Sequence, residues 1–170
     1  MKRRPKAPLF KPLEPAVYVI DTSAWLDVDT RKDADEVWGL IVDLIGEGRI
    51  VACSTVLDEI QDEGFYMQRI FPYEAALRAG DRNDVEYLLH VGKVTGEHPA
   101  MAKATGMKNP ADPYVVALAE IEDYVVVADE TCRKRPNRKI PGVCQKRGIK
   151  CKTLDELIAD VRAEAVVSIG

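Results

Sequence analysis

The sequence has few of the residues that mark the common metal and nucleotide sites. It contains 2 histidines and 4 cysteines in 170 residues, and no C-x-x-C pair occurs. Structural zinc sites usually need such a pair together with nearby histidines or cysteines, so we do not expect one. The P-loop pattern, a G-x-G-x-x-G turn after a strand and the G-x-S-x-G nucleophile pattern are missing as well. Any chemistry must therefore depend on other groups.

Long apolar segments are also missing. No apolar run approaches the roughly 18 residues that cross a bilayer, and no apolar segment follows the basic N-terminus to make a secretory signal. Charged residues make up 31% of the chain and hydrophobic residues 46%, which is typical of a globular protein. We therefore expect a cytoplasmic protein without a membrane partner. In it, the cysteines at positions 53, 132, 144 and 151 are reduced core residues.

The net charge of −4 argues against nonspecific coating of nucleic acid, but the basic residues are not evenly spread. One late segment holds Arg133, Lys134, Arg135, Arg138, Lys139, Lys146, Arg147, Lys150 and Lys152. Such a charge run is most often a solvated face. If it lay beside an acidic cluster, it would be suited to hold a phosphodiester backbone.

The chain reads as one domain with a tail. Residues 1–15 are basic, contain four prolines and show no periodic pattern, which is typical of an extended tail. Residues 16–170 contain no internal repeat and no second composition class. We predict a single domain over that range, long enough to bury a sizeable core.

Apolar runs alternate with helical periodicity along this domain. The runs predicted as buried strands are 16–20, 49–53, 124–128 and, more briefly, 148–151. Helical patterns follow from about 24, 33, 54, 85, 112, 140 and 153, and residues 166–169 read as an edge strand or a loose end. Thr22 or Ser23 is predicted to cap the first helix and Asp112 the helix near 112, and Thr153 with Glu156 fits a capping box. This alternation predicts an α/β fold with a central parallel sheet of four or five strands, covered by helices on both faces.

Carboxylates recur where the predicted elements meet. Asp21 follows the first strand, Glu59 lies in the helix after the second, Asp112 begins a helix, and Asp129 and Glu130 follow the third strand. These junctions share one edge of a parallel sheet, where α/β folds bind ligands. Clustered carboxylates repel one another unless a cation neutralises them, and oxygen ligands favour Mg²⁺ or Mn²⁺. Taken singly, each acid is explained equally well as a helix cap, a turn residue or an exposed helix residue.

Four motifs in this order resemble the PIN-domain nucleases and, among them, the VapC-type toxins. They are Val19-Ile20-Asp21-Thr22-Ser23, then Glu59, then the helix start from Ala111 to Ala119, then Val125 to Glu130. The similarity extends from Val17 to about Leu157. It implies a PIN-like three-layer α/β/α fold and an endoribonuclease that cleaves single-stranded RNA with Mg²⁺ or Mn²⁺.

The resemblance also implies roles for individual residues. Asp21, Glu59 and Asp112 match the first three acids of the family pattern, and Glu130 takes the place of the fourth. Ala128 replaces the usual hydroxyl residue, which leaves open whether Glu130 or Asp129 is the fourth acid. The residues that would contact the substrate are Ser23, Arg133, Lys134, Arg135 and Arg138.

Proteins of this type are the toxins of type II toxin–antitoxin pairs, so the resemblance implies a cognate antitoxin and a homodimer. Three alternatives stay open. The chain is a housekeeping RNA-processing nuclease without an antitoxin, a noncatalytic PIN-like scaffold that binds RNA or protein, or a response-regulator-like or phosphatase domain. The apolar stretch with Phe65, Tyr66, Met67, Ile70 and Phe71 is either an interaction surface or core.

Overall fold

A computed structural model describes residues 14–102, 111–129 and 139–170 of the chain. It contains a parallel sheet of four short strands. These are β1 (Tyr18–Ile20), β2 (Ile50–Val51), β3 (Val125–Val127) and β4 (Cys151–Lys152). Their order in the sheet is β2-β1-β3-β4, and every neighbouring pair is parallel. The predicted α/β fold with a four-stranded parallel sheet is confirmed.

Helices connect the strands. In the described part of the chain they are α1 (Thr22–Thr30), α2 (Ala34–Gly46), α3 (Ser54–Ile60), α4 (Glu74–Arg78), α5 (Val85–Glu97), α6 (Pro99–Ala102), α7 (Asp112–Glu122), α8 (Ile140–Arg147) and α9 (Leu154–Ile169). A π-helical turn (Tyr66–Ile70) and a 3₁₀ turn (Phe71–Tyr73) precede α4. None of these helices is both long enough and apolar enough to cross a membrane.

β1 occupies the interior of the sheet. Tyr18, Val19 and Ile20 are at most 2% exposed. Successive side chains of a strand point to opposite faces, so burial of all three shows that helices cover both faces of the sheet. The helix α2 supplies part of this cover through a stripe spaced by four, three and one residues: Val37, Ile41, Leu44 and Ile45.

Two helix boundaries differ from the sequence prediction. α1 starts at Thr22 with Asp21 as its N-cap, so Asp21 rather than Thr22 or Ser23 is the capping residue. α7 starts at Asp112 with Ala111 in the cap position, so the prediction of Asp112 as the cap was wrong. In both cases the helix already includes the residue that was predicted to cap it. Helix boundaries commonly differ by one or two residues in this way.

The end of the chain was predicted wrongly. Residues 166–169 are neither an edge strand nor a loose end, because α9 continues to Ile169. Thr153 and Glu156 form the predicted capping box, in which each side chain accepts a hydrogen bond from the other residue's backbone N–H. Once this helix has started, nothing in its sequence stops it before Gly170, because it contains neither proline nor an internal glycine.

The apolar middle stretch turns out to be divided. Phe65, Tyr66 and Ile70 are buried, whereas Met67 is 62% and Phe71 54% exposed. Two of the five residues are therefore on the surface, and the other three belong to the core.

Gly80 marks a close approach between the end of α4 and the sheet. The Ala52 N–H donates to the Leu77 carbonyl at 3.1 Å, and a Cβ built on Gly80 would lie 2.1 Å from Cγ1 of Val51. Val51 is 4% exposed and lies in β2, so it has no free space into which to move. A side chain at position 80 would push the helix away from the sheet.

We predict that Gly80→Ala lowers the free energy of unfolding by about 1–3 kcal/mol, as overpacking of a filled core does. The matched control is Gly39→Ala in α2, where an added Cβ meets nothing within 4 Å. This second change should raise stability by roughly 0.5–1 kcal/mol, because alanine restricts the unfolded chain. Urea denaturation of both variants checks the prediction, and equal effects of the two substitutions would contradict it.

Candidate functional site

Asp21 sits at the carboxyl end of the central strand. Its backbone N–H donates to the Val127 carbonyl at 2.9 Å, which continues the pairing of β1 with β3. Its side chain is 2% exposed, and Oδ2 accepts from the Ser23 N–H at 3.1 Å and from the Ser23 hydroxyl at 2.8 Å. A carboxylate this deeply buried needs donors or a cation to balance its charge, and Ser23 supplies two of the donors.

Glu59 forms hydrogen bonds to the chain neighbours of two other predicted acids. Its Oε2 accepts from the Thr22 hydroxyl at 2.5 Å, and Thr22 directly follows Asp21. Its Oε1 accepts from the Ala111 N–H at 2.9 Å, and Ala111 directly precedes Asp112. One carboxylate on α3 thereby fixes the starts of α1 and α7, the two helices that begin beside Asp21 and Asp112.

Asp112 occupies the first position of α7 and is followed by Pro113. Proline is well suited to the first turn, where its missing N–H has no helical partner to lose. The next residues of α7 on the sheet side, such as Val115 and Val116, are fully buried and seat the helix on the core. Of the three acids predicted to act together, Asp21 and Asp112 thus lie at helix starts that Glu59 links by hydrogen bonds.

The Ser23 hydroxyl connects this edge to β3. It donates to Asp21 and accepts from the Asp129 N–H at 3.0 Å. The backbone that follows β3 is thus held against the first turn of α1. Ser23, predicted to contact substrate, has its hydroxyl engaged on both sides within the protein.

The carboxyl of Asp129 contacts other elements. Its Oδ1 accepts from the Leu154 N–H at 3.3 Å, at the start of α9. Burial raises the pKa of Asp129, the Leu154 N–H opposes this shift, and the nearby Asp27 and Asp155 carboxyls raise the pKa further. The charged groups that act most strongly on Asp129 are thus on α1 and α9.

Several predicted site residues lie outside the described ranges: Glu130, Arg133, Lys134, Arg135 and Arg138. The same is true of Cys132, which was predicted as a core residue. Two other members of the predicted basic segment have partners within the fold. Arg147, whose side chain is 8% exposed, bonds Glu120 and Glu97, and Lys152 pairs with Asp160. The charge of Arg147 is thus engaged by two carboxylates, and that of Lys152, whose side chain is 33% exposed, by one.

Within the described ranges, no group of three or more His, Cys, Asp or Glu side chains is placed to hold a metal ion. The cysteines described there are free, with Cys53 and Cys144 buried and Cys151 half-buried. Burial raises the pKa of Cys53 above that of an ordinary thiol, and the adjacent Cys151 together with burial raises the pKa of Cys144. High thiol pKa values fit the predicted role of these two residues in the core.

Sequence reasoning missed the role of Thr22. It was assigned to helix capping, whereas its hydroxyl is a partner of Glu59, 37 positions away. The only sequence signal was that two hydroxyl residues, Thr22 and Ser23, follow the first acid where one would be enough to cap the helix. Nothing local distinguishes a cap from such a long-range bond.

The comparisons with known proteins give one finding. Residues 18–165 match the protein family described as a domain of unknown function, DUF4411. The matched range includes all four described strands and the described acids discussed above. No curated protein sequence matches the chain.

We predict that Asp129→Asn stabilises the fold at neutral pH. Because the folded-state pKa of this acid is raised, its ionisation costs stability as the pH rises through that pKa. Asparagine removes this cost and still offers an oxygen to the Leu154 N–H. The increase in melting temperature over the wild type should be present at pH 7 and disappear near pH 3, where Asp129 is protonated in both states.

Thermal unfolding from pH 3 to pH 8 measures this difference. The control is Asp62→Asn, a change of an exposed acid beyond the end of α3, which should give no such pH-dependent gain. A variant at position 129 that is less stable than the wild type at pH 7 would show that the ionised carboxylate contributes more through Leu154 than its burial costs.

Proposed function

The chain belongs to the DUF4411 family, and from that premise we propose that it is a metal-dependent endoribonuclease of the PIN type. It would use Mg²⁺ or Mn²⁺ to hydrolyse phosphodiester bonds of single-stranded RNA. One observation carries the proposal. Glu59 bonds the residue after Asp21 and the residue before Asp112, so hydrogen bonds link the three elements that carry the predicted acids.

The donor set fits a hard divalent cation. All the candidate ligands are oxygens, and neither histidine nor cysteine takes part. Mg²⁺ commonly binds only one or two carboxylates directly and takes its other ligands from water and substrate phosphate. Asp21 and Asp112 are therefore sufficient as direct ligands, and Glu130 is the predicted addition. Such an ion, when bound, lowers the pKa of a water ligand and stabilises charge on the phosphate oxygens.

The protein's own residues would set the geometry of this site. The N–H and hydroxyl of Ser23 both donate to Oδ2 of Asp21. Because these bonds fix the carboxylate plane, they also fix the direction of Oδ1. Glu59 has a bond on each of its oxygens, so its first role is to fix the distance between the starts of α1 and α7. Small shifts of catalytic groups cost large factors in rate, and this bridge limits such shifts.

The remaining elements of the proposal depend on the resemblance. Arg133, Lys134, Arg135 and Arg138 would contact the RNA backbone, giving affinity that falls steeply with salt. The protein would act in the cytoplasm, as the toxin of a type II pair with a cognate antitoxin, and as a homodimer. A housekeeping nuclease would share the chemistry but would have no antitoxin.

We predict that the wild type binds Mn²⁺ saturably in calorimetry and that Asp21→Asn does not. Asparagine preserves the helix cap, so the variant should remain folded. The control is Asp58→Asn, which removes an exposed acid of α3 that pairs with Arg78 and lies next to Glu59. Its Mn²⁺ binding should be unchanged.

The same proteins test the reaction. Cleavage of single-stranded RNA with Mg²⁺ or Mn²⁺ should be lost in Asp21→Asn and kept in Asp58→Asn. Wild-type rates in Asp21→Asn would exclude the mechanism. A folded wild type that binds no Mn²⁺ and cleaves no RNA would instead favour the noncatalytic scaffold.

A second prediction concerns Thr22. Its hydroxyl donates to the Glu59 carboxylate, and a hydrogen bond to a charged group contributes more than one between neutral groups. Thr22→Val keeps the shape but removes the hydroxyl, and we expect Mn²⁺ affinity to fall about tenfold. Thr22→Ser should restore most of it.

The matched control is Thr30→Val, since the Thr30 hydroxyl bonds only backbone carbonyls of its own helix. This change should leave Mn²⁺ affinity unaltered. If Thr22→Val and Thr22→Ser bind Mn²⁺ equally well, the hydroxyl has no part in positioning the site.

A further inference from the structure

Two of the four cysteines lie against each other in the fold. Cys144 is in α8, and Cys151 begins β4 seven positions later. The thiol of Cys144 forms a hydrogen bond with the sulfur of Cys151. Neither residue belongs to the candidate site described above, so this contact has no part in the proposed metal chemistry.

The turn that ends α8 brings the two thiols together. Gly148 has a φ of +70°, and the Ile149 N–H donates to the Cys144 carbonyl at 2.9 Å. This is a Schellman arrangement, in which a left-handed residue reverses the chain directly after a helix. The Val126 N–H then donates to the Lys150 carbonyl at 2.9 Å, which holds the start of β4 beside β3. Backbone hydrogen bonds thus set the positions of both cysteines.

The alternation of side chains along β4 directs Cys151 away from α9. Lys152, the next residue, pairs with Asp160 of α9. Successive side chains of a strand point to opposite faces of the sheet, so Cys151 points to the face that α9 does not cover. On that face it meets the thiol of Cys144. The contact between the thiols therefore agrees with the geometry of the strand.

The two thiols differ in their access to solvent. Cys144 is 0% exposed, whereas Cys151 is half-buried. The contact with Cys151, together with burial, raises the pKa of Cys144, so that this thiol stays protonated. A dissolved oxidant therefore reaches Cys151 first. Cysteines that respond to oxidants are commonly accessible and have a second thiol beside them, as Cys151 does.

We propose that Cys144 and Cys151 form a reversible disulfide when the protein meets a hydroperoxide such as hydrogen peroxide. The Cys151 sulfur attacks one peroxide oxygen, which breaks the O–O bond and gives a sulfenic acid and one water. The Cys144 sulfur then attacks the Cys151 sulfur, and the S–O bond breaks with release of a second water. The peroxide gains two electrons, and the two thiols lose two hydrogens as the S–S bond forms.

The surroundings of Cys151 are the reason to choose a peroxide as the oxidant. A half-buried sulfur is open to a small neutral molecule, whereas a bulky disulfide such as that of glutathione needs access along the line of the S–S bond. A bond of this kind is also compatible with a reducing compartment. Disulfides of cytosolic proteins are usually transient and respond to redox conditions.

Peptide mapping of the full chain tests the proposal. The reduced protein is treated with hydrogen peroxide, its remaining thiols are alkylated, and it is digested with trypsin. Cleavage after the lysines at 139, 146, 150 and 152 gives the peptides 140–146 and 151–152, each with one cysteine. We expect these two peptides to be joined by a bond that dithiothreitol breaks.

Single variants separate the roles of the two thiols. Cys144→Ser should leave a sulfenic acid at Cys151, which a cyclic 1,3-dione traps. Cys151→Ser should leave Cys144 unmodified at the same peroxide concentration. The controls are Cys53→Ala, at a buried thiol that the Tyr87 hydroxyl contacts at 3.7 Å, and Cys132→Ser, at a cysteine outside the described ranges. Neither control should lower the yield of the linked peptides.

Thermal unfolding supplies a second readout. The oxidised protein should melt about 2–8 °C above the reduced one, because a bond between sulfurs that already touch restricts the unfolded chain without distorting the fold. A lower melting temperature would overturn the proposal, as would peroxide-treated protein in which peptides 140–146 and 151–152 are not linked. Equal trapping of sulfenic acid in the two single variants would overturn the assigned order of attack. No RNA or metal is used, so the outcome is independent of the proposed function.

Discussion

The hydrogen bonds on both sides of β1 are the constraint on which the rest of this structure depends. The strand pairs with β2 on one side and β3 on the other, and none of its three residues is more than 2% exposed. A strand enclosed in this way has no freedom to shift its register, because a one-residue slip would exchange the residues between its two faces. Asp21, the next residue, is consequently placed at a fixed height on the carboxyl edge of the sheet.

Hydrogen bonds connect Asp21 and the residues next to it to the other elements around the site. Ser23 joins Asp21 to the backbone of Asp129, and Thr22 joins the start of α1 to Glu59, which in turn holds Ala111. These bonds involve partly buried groups, where the lower dielectric strengthens each of them. In the candidate site, hydrogen bonds therefore join the starts of α1 and α7, and the positions of the carboxylates depend on the backbone to which they are attached.

Two parts of the molecule's surface differ in chemistry. The carboxyl edge of the sheet carries the buried Asp21 and the half-buried Glu59, Asp112 and Asp129. The outer face of α5 shows exposed apolar side chains, among them Val85 and Leu89, and glycines at which an added Cβ would meet nothing within 4 Å. Helix α7 lies next to both, because it begins at Asp112 and its Tyr114 ring packs against Tyr87 of α5.

The sequence by itself determined the fold class, the positions of most helices and the edge of the sheet to which the acids belong. Apolar runs, helical periodicity and the capping box at Thr153 are local signals, which can be recognised without knowing the contacts between distant residues. It did not determine the end of α9 or the caps of α1 and α7, since several neighbouring residues could begin or end each helix. Only the tertiary structure decided that Thr22 bonds Glu59, that Asp129 contacts α9, and that Leu89 stays exposed while Val91 is buried. Each of these depends on contacts between residues far apart in the chain, which no spacing within one element encodes.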